Sequence, residues 1–222
     1  MPCQPWTLCG KPFLEIYRFG LDFFFESVNL KYVMADDLRL FIAIDVPDEI
    51  REMISQFQKK LRSQDADIKW VKPSAIHITL KFLGNTAPSM VEPAGELIRQ
   101  NLQQTSSFPV ELKGTGTFPN DKKPRVLWIG IQQGADNLSQ MAGGINHTLE
   151  SIGFDREKRA YSPHLTIGRV RSQKNIRSAV GAMHSMTFKG GIFTADEVLV
   201  MKSDLQPGGA VYTPLKRIKL KE

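Results

Sequence analysis

Apolar positions between residues 38 and 220 fall in short runs whose spacing alternates between the period of a strand and that of a helix. Leu38–Asp45 is a compact apolar run and reads as a strand; Pro47 and Asp48 then open a helix to about Arg62, with Ile50, Ile54, Phe57 and Leu61 on one face. Short strands are predicted at Ile68–Val71, stopped by Pro73, and at Ala75–Leu83, closed by Gly84-Asn85. A helix over Pro88–Leu102 places Val91, Ala94, Leu97 and Ile98 inward, and strands follow at Phe108–Lys113, Gly116–Phe118 and Val126–Ile131, where the first half is expected to end. The remainder reads as a helix at Ala135–Ile152 ended by Gly153, a strand at His164–Val170, a helix at Ile176–Met183, and strands at Thr187–Phe193, Glu197–Ser203 and Val211–Leu220. Pro207-Gly208-Gly209 supplies the last turn. This order predicts an α+β fold of two pseudo-symmetric lobes, each an antiparallel sheet with helices outside, enclosing a central cleft.

Residues 1–33 break the pattern. They hold eight of the chain's twenty aromatic residues without a helical or strand period, and Lys11, Glu15, Arg18, Asp22 and Glu26 interrupt any run long enough for a secretory signal. The reading favoured over an interaction segment or a disordered tail is an upstream extension, with Met34 as the biological start and 34–222 as the folded domain.

Two predicted strands carry one pattern, His77-Ile78-Thr79-Leu80 and His164-Leu165-Thr166-Ile167. Alternation puts each His and Thr on one face and the aliphatic residues on the other. A single His-x-Thr carries little information, since many strand histidines only satisfy local hydrogen bonds. Two copies, 87 residues apart and both inside apolar strands, point to a shared surface holding two imidazoles and two hydroxyls. An imidazole titrates near pH 6.5, so such a pair can take and give protons at neutral pH while the hydroxyls bind an anionic oxygen. Either His can serve as acid or base on residue chemistry alone. His147 and His184 lack this context and are read as structural or surface groups. Zinc is disfavoured, because neither motif contains a Cys, Asp or Glu to complete a ligand set.

Charge adds modest support. The net charge of +6 lies entirely beyond residue 33 and suits an anionic partner, although solvated lysines explain it equally well. Cys3 and Cys9 are the only cysteines, so disulfides cannot organise the fold, which fits a reducing, cytoplasmic setting. No apolar run approaches the roughly 18 residues of a membrane span, and no membrane partner is expected.

The blocks LRLFIAIDVP at 38–47, IHITLKFLG at 76–84, PRVLWIGI at 124–131 and SPHLTIGRV at 162–170 resemble the two-histidine phosphoesterases, in particular the RNA 2′,3′-cyclic phosphodiesterase branch, also described as 2′-5′ RNA ligase-like. The resemblance covers about residues 37–220. It implies metal-independent hydrolysis of an RNA-terminal 2′,3′-cyclic phosphate to a 2′-phosphomonoester by a monomer without cofactor. His77 would be the proton donor, His164 the proton acceptor, and Thr79 and Thr166 the phosphate ligands. Arg169 resembles a phosphate-contacting Arg of the family, yet strict alternation puts it on the opposite face from His164 unless Gly168 bends the strand. Lys81 is expected on the face of His77, most simply as a solvated strand-end residue. Phe41 and Phe82 are candidates to stack on the terminal base, with core packing the simpler assignment; Phe118 and Trp128 are assigned to the core. Alternatives are a cyclic phosphate on another nucleotide such as ADP-ribose, a 2′-5′-linked oligonucleotide, reverse ligation, or a non-catalytic RNA-binding module.

Overall fold

The computed structural model describes residues 36–186, 188–207 and 209–222. The expected 1–33 extension lies outside the described residues. Nine strands and four helices follow in the order β1 (Leu38–Asp45), α1 (Asp48–Arg62), β2 (Ile68–Trp70), β3 (His77–Thr86), α2 (Val91–Leu102), β4 (Phe108–Phe118), β5 (Val126–Ile131), α3 (Ala135–Glu150), β6 (His164–Val170), α4 (Ile176–Ser185), β7 (Lys189–Ala195), β8 (Glu197–Gln206) and β9 (Gly209–Lys219). Pro73–Ala75 and Pro88–Met90 form single 3-10 turns that lead into β3 and α2. The two short strands expected within 108–118 are one strand, kept continuous by an irregularity between Leu112 and Thr115 where Gly114 takes a φ of 75°.

All strand pairs are antiparallel, in the order β7-β4-β5-β6-β3-β1-β8-β9, with β2 on the free part of β6. Two half-sheets, β3-β1-β8-β9 and β6-β5-β4-β7, meet at a seam where β3 and β6 share one paired position, Ile78 with Leu165. The lobes are therefore not the two halves of the chain. The C-terminal strands β8 and β9 extend the first half-sheet, while β4 from the first half of the sequence lies in the second. The helices cross over too: α2 and α3 pack together, against β9 and β3 respectively, whereas α1 and α4 pack together, against β7 and β4. Each lobe thus draws its strands and helices from both halves of the sequence.

The amphipathic helices cover one face of the sheet. Ile50, Ile54, Phe57 and Leu61 of α1, Leu138, Ile145 and Leu149 of α3, and Ala179 and Met183 of α4 are buried against Ile42, Ile44, Ile78, Leu127, Ile129, Leu165 and Ile167. Burying one such aliphatic side chain stabilises the fold by about 1.5–3 kcal/mol. The other face of the sheet is left to form a cleft.

Candidate active site

The seam brings the two motifs together. With Ile78 opposite Leu165, extending the antiparallel register by one residue sets His77 across from Thr166 and Thr79 across from His164. All four side chains are partly exposed in one cleft of about 2380 Å³, while Ile78 and Leu165 are fully buried on the opposite face.

Each imidazole is held in the same way. The Nδ1–H of His77 donates to the carbonyl of Ala75 at 2.9 Å, and that of His164 to the carbonyl of Ser162 at 2.7 Å, two residues upstream in both cases. A ring nitrogen committed to a carbonyl is the protonated one, so Nε2 is left to exchange a proton with a ligand. Aromatic rings flank both. Phe41 lies 4.7 Å from the His77 ring and Tyr212 meets it edge-on at 5.0 Å. Phe118 meets the His164 ring edge-on at 4.9 Å, with Trp128 at 6.4 Å. Burial among these rings pushes the His77 pKa down to about 4, opposed by the Ala75 carbonyl and the Asp45 carboxylate. Burial likewise lowers His164, with Arg169 adding to the effect and the Ser162 carbonyl opposing it.

Two matching bulges decide what else faces the cleft. In β3, Ala43 pairs with Thr79 but Ile42 with Lys81, so Leu80 is the extra residue. In β6, Trp128 pairs with Thr166 but Leu127 with Gly168, so Ile167 is extra. Each bulge shifts alternation by one position. Phe82 and Arg169 therefore return to the face of the histidines, and Lys81 and Gly168 turn to the core side. The route by which Arg169 reaches the cleft is this extra residue, to which Gly168 contributes by packing closely beneath β2: a Cβ there would sit 2.7 Å from Ile68 Cγ2.

Lys81 is thus not on the His77 face. It is 7% exposed, and its Nζ donates to Asn146 Oδ1 and to the Asp155 carbonyl, each at 2.6 Å. Burial lowers its pKa, against the pull of Glu157 and Asp155. With Tyr161, whose hydroxyl donates to the Thr79 carbonyl at 2.8 Å, it fastens the segment between α3 and β6 that carries Ser162. Gln58 of α1 does comparable work at the other bulge, its Nε2 donating to the Ile167 carbonyl at 2.8 Å and the Val71 carbonyl at 2.9 Å.

Phe41 is 2% exposed and packs against His77, Phe82 and Tyr212, leaving no open face for a base; Phe82 is 66% exposed and keeps one. Phe118 and Trp128, assigned to the core on sequence, instead wall His164; Gly116 makes room for the Trp128 ring, which a Cβ would strike at 2.2 Å. His147 lies on the surface, and His184 pairs with Asp121 at 3.1 Å away from the two motifs. Among the described residues, no three His, Cys, Asp or Glu side chains converge as a metal site would require, and no helix is long and apolar enough to cross a membrane.

A pseudo-symmetric sheet presenting two tethered imidazoles, two hydroxyls and an arginine to one cleft defines a phosphoesterase of the paired-histidine kind. The LigT-like phosphoesterase model matches residues 44–128 and again 129–212, and the chain belongs to that family. It is 36% identical over 182 residues to an RNA 2′,3′-cyclic phosphodiesterase of Methanocaldococcus jannaschii, covering 81% of this chain and 99% of that protein. A protein of the same description from Methanothermobacter thermautotrophicus is 31% identical over 186 residues, covering 82% and 99%. Among solved structures, Escherichia coli LigT complexed with 3′-AMP superposes with a TM-score of 0.69 at 28% identity, covering 84% of this chain and 99% of LigT.

Proposed function

We propose that this protein hydrolyses the 2′,3′-cyclic phosphate at an RNA 3′ end to a 2′-phosphomonoester, with His164 as general base, His77 as general acid and no metal. The observation that carries this reading is the pair of Nδ1-tethered imidazoles flanking one cleft from opposite strands of the seam. A water molecule between His164 and phosphorus loses its proton to His164 Nε2 as its oxygen attacks. The P–O3′ bond breaks, and O3′ takes the proton from His77 Nε2. The phosphate stays on O2′, and the two histidines end with exchanged protonation. Thr79, Thr166 and Arg169 would hold the non-bridging oxygens, whose charge rises in the transition state. Both imidazoles are depressed in the free protein, so an anionic phosphate placed between them is what brings His77 to its charged form. Phe82 keeps an open ring for the terminal base.

The cleft also favours a polynucleotide over a single nucleotide. Its volume of about 2380 Å³ exceeds the roughly 300–1,000 Å³ of a small-molecule site. Lys69, Lys122, Lys123, Arg125, Arg169 and Arg171 line it and enter no ion pair among the described residues, an arrangement suited to several phosphates. The test is RNA ending in a 2′,3′-cyclic phosphate incubated with the purified protein in EDTA, with the product followed by phosphorus NMR. A 2′-monoester signal is expected; a 3′-monoester, or no turnover, would refute the assignment.

A further inference from the structure

The two half-sites are alike in tether and bulge but differ in what holds the tether. Asp45, the last residue of β1, pairs with His77 across the β1–β3 register, whereas the matching position opposite His164 is Gly130. Asp45 Oδ1 accepts from Nη2 of Arg51, in the first turn of α1. The Nη1 of the same guanidinium donates to the Pro73 carbonyl at 2.7 Å and the Ile76 carbonyl at 3.1 Å. Those carbonyls bracket Ala75, whose own carbonyl holds His77 Nδ1. Asp48 approaches the guanidinium Nε at 3.5 Å, and the Arg51 side chain is only 13% exposed.

We infer that Arg51, fixed by Asp45, is a positioning residue for His77: it locks the 73–76 turn so that the Ala75 carbonyl keeps the proton on Nδ1 and leaves Nε2 to the substrate. A planar fork can take a carboxylate on one prong and two carbonyls on the other, which a lysine ammonium cannot do with fixed geometry. Without the fork the turn keeps its Ile76-to-Pro73 and Ala75-to-Lys72 backbone bonds, but the direction of the Ala75 carbonyl is no longer determined from outside. The His164 tether depends on a different set, Lys81, Asn146 and Tyr161, so loss of Arg51 acts on one imidazole alone.

The catalytic part of this inference rests on the proposed function; the tautomer part does not. In the full-length protein labelled with nitrogen-15 at histidine, His77 is expected to show a protonated Nδ1 and bare Nε2 at pH 7.5. Arg51→Gln should move the His77 nitrogen shifts toward a mixed tautomer, leave those of His164 in place, and lower kcat on cyclic-phosphate-ended RNA by roughly 10–100-fold with KM nearly unchanged. Arg51→Lys should recover less than a tenth of the lost kcat. Asp45→Asn, which leaves the helix intact, should shift the same His77 signals and serves if Arg51→Gln does not fold. Unchanged His77 signals in the folded variants, or equal movement of His77 and His164, would overturn the inference. Absence of turnover by the unmodified protein would instead count against the proposed function, with the tautomer result standing.

Discussion

His77 and His164 are distinguished from His147 and His184 by a carbonyl on Nδ1 and by aromatic walls. Replacing either with Ala should lower kcat by about 10²–10⁴ while leaving the circular dichroism unchanged, as each positioned proton transfer is of that order. The depressed His77 pKa gives a second expectation. Nitrogen-15 titration of the free protein should place His77 near 4, and added inorganic phosphate should raise it. Because the folded value lies below the ordinary 6.5, the unfolded chain binds more protons between the two. His77 therefore contributes full stability above about pH 6.5, and that contribution is lost as the pH falls toward 4. Urea unfolding across this window, with His77→Gln as reference, measures the effect; equal pH slopes in the two proteins would refute it.

At the scale of the element, the strands that carry the chemistry were legible because Ile78, Leu80, Leu165 and Ile167 alternate cleanly with His and Thr. What alternation could not show is where it fails. A bulge is set by the partner strand as well as by its own residues, so the extra Leu80 and Ile167 depend on Ile42–Ala43 and Leu127–Trp128 across the ladder. For that reason Lys81 was placed on the wrong face, and Arg169 reached the cleft by a route that sequence spacing does not encode. Phe118 and Trp128 read as core residues on sequence for a similar reason: they border His164 only once β4, β5 and β6 are aligned. The corrected position of Lys81 is testable. Lys81→Met should lower stability by about 1–3 kcal/mol in urea, since Asn146 Oδ1 and the Asp155 carbonyl lose a donor, with kcat reduced only a few-fold. A loss of several orders in kcat would return Lys81 to the reaction.

For the whole molecule, the composition indicated a basic protein, but the concentration of that charge in the cleft emerges only when β2, the β4–β5 turn and β6 converge. Lys122→Ala combined with Lys123→Ala should lower kcat/KM for a cyclic-phosphate-ended decanucleotide several-fold and flatten its salt dependence, while leaving a 2′,3′-cyclic mononucleotide unaffected. Equal losses on both substrates would place these lysines in the reaction centre instead. The two-lobed α+β fold was legible from the repeated motif; what the repeat does not show is that β8 and β9 complete the half-sheet begun by β1 and β3. The seam between the half-sheets has a consequence of its own. Because Ile78 and Leu165 form the one paired position between β3 and β6 among the described residues, the separation of His77 and His164 is set by a single main-chain bridge, at the strand spacing of about 4.8 Å. Anything that opens this bridge changes the gauge between the two imidazoles while each of them keeps its own carbonyl tether.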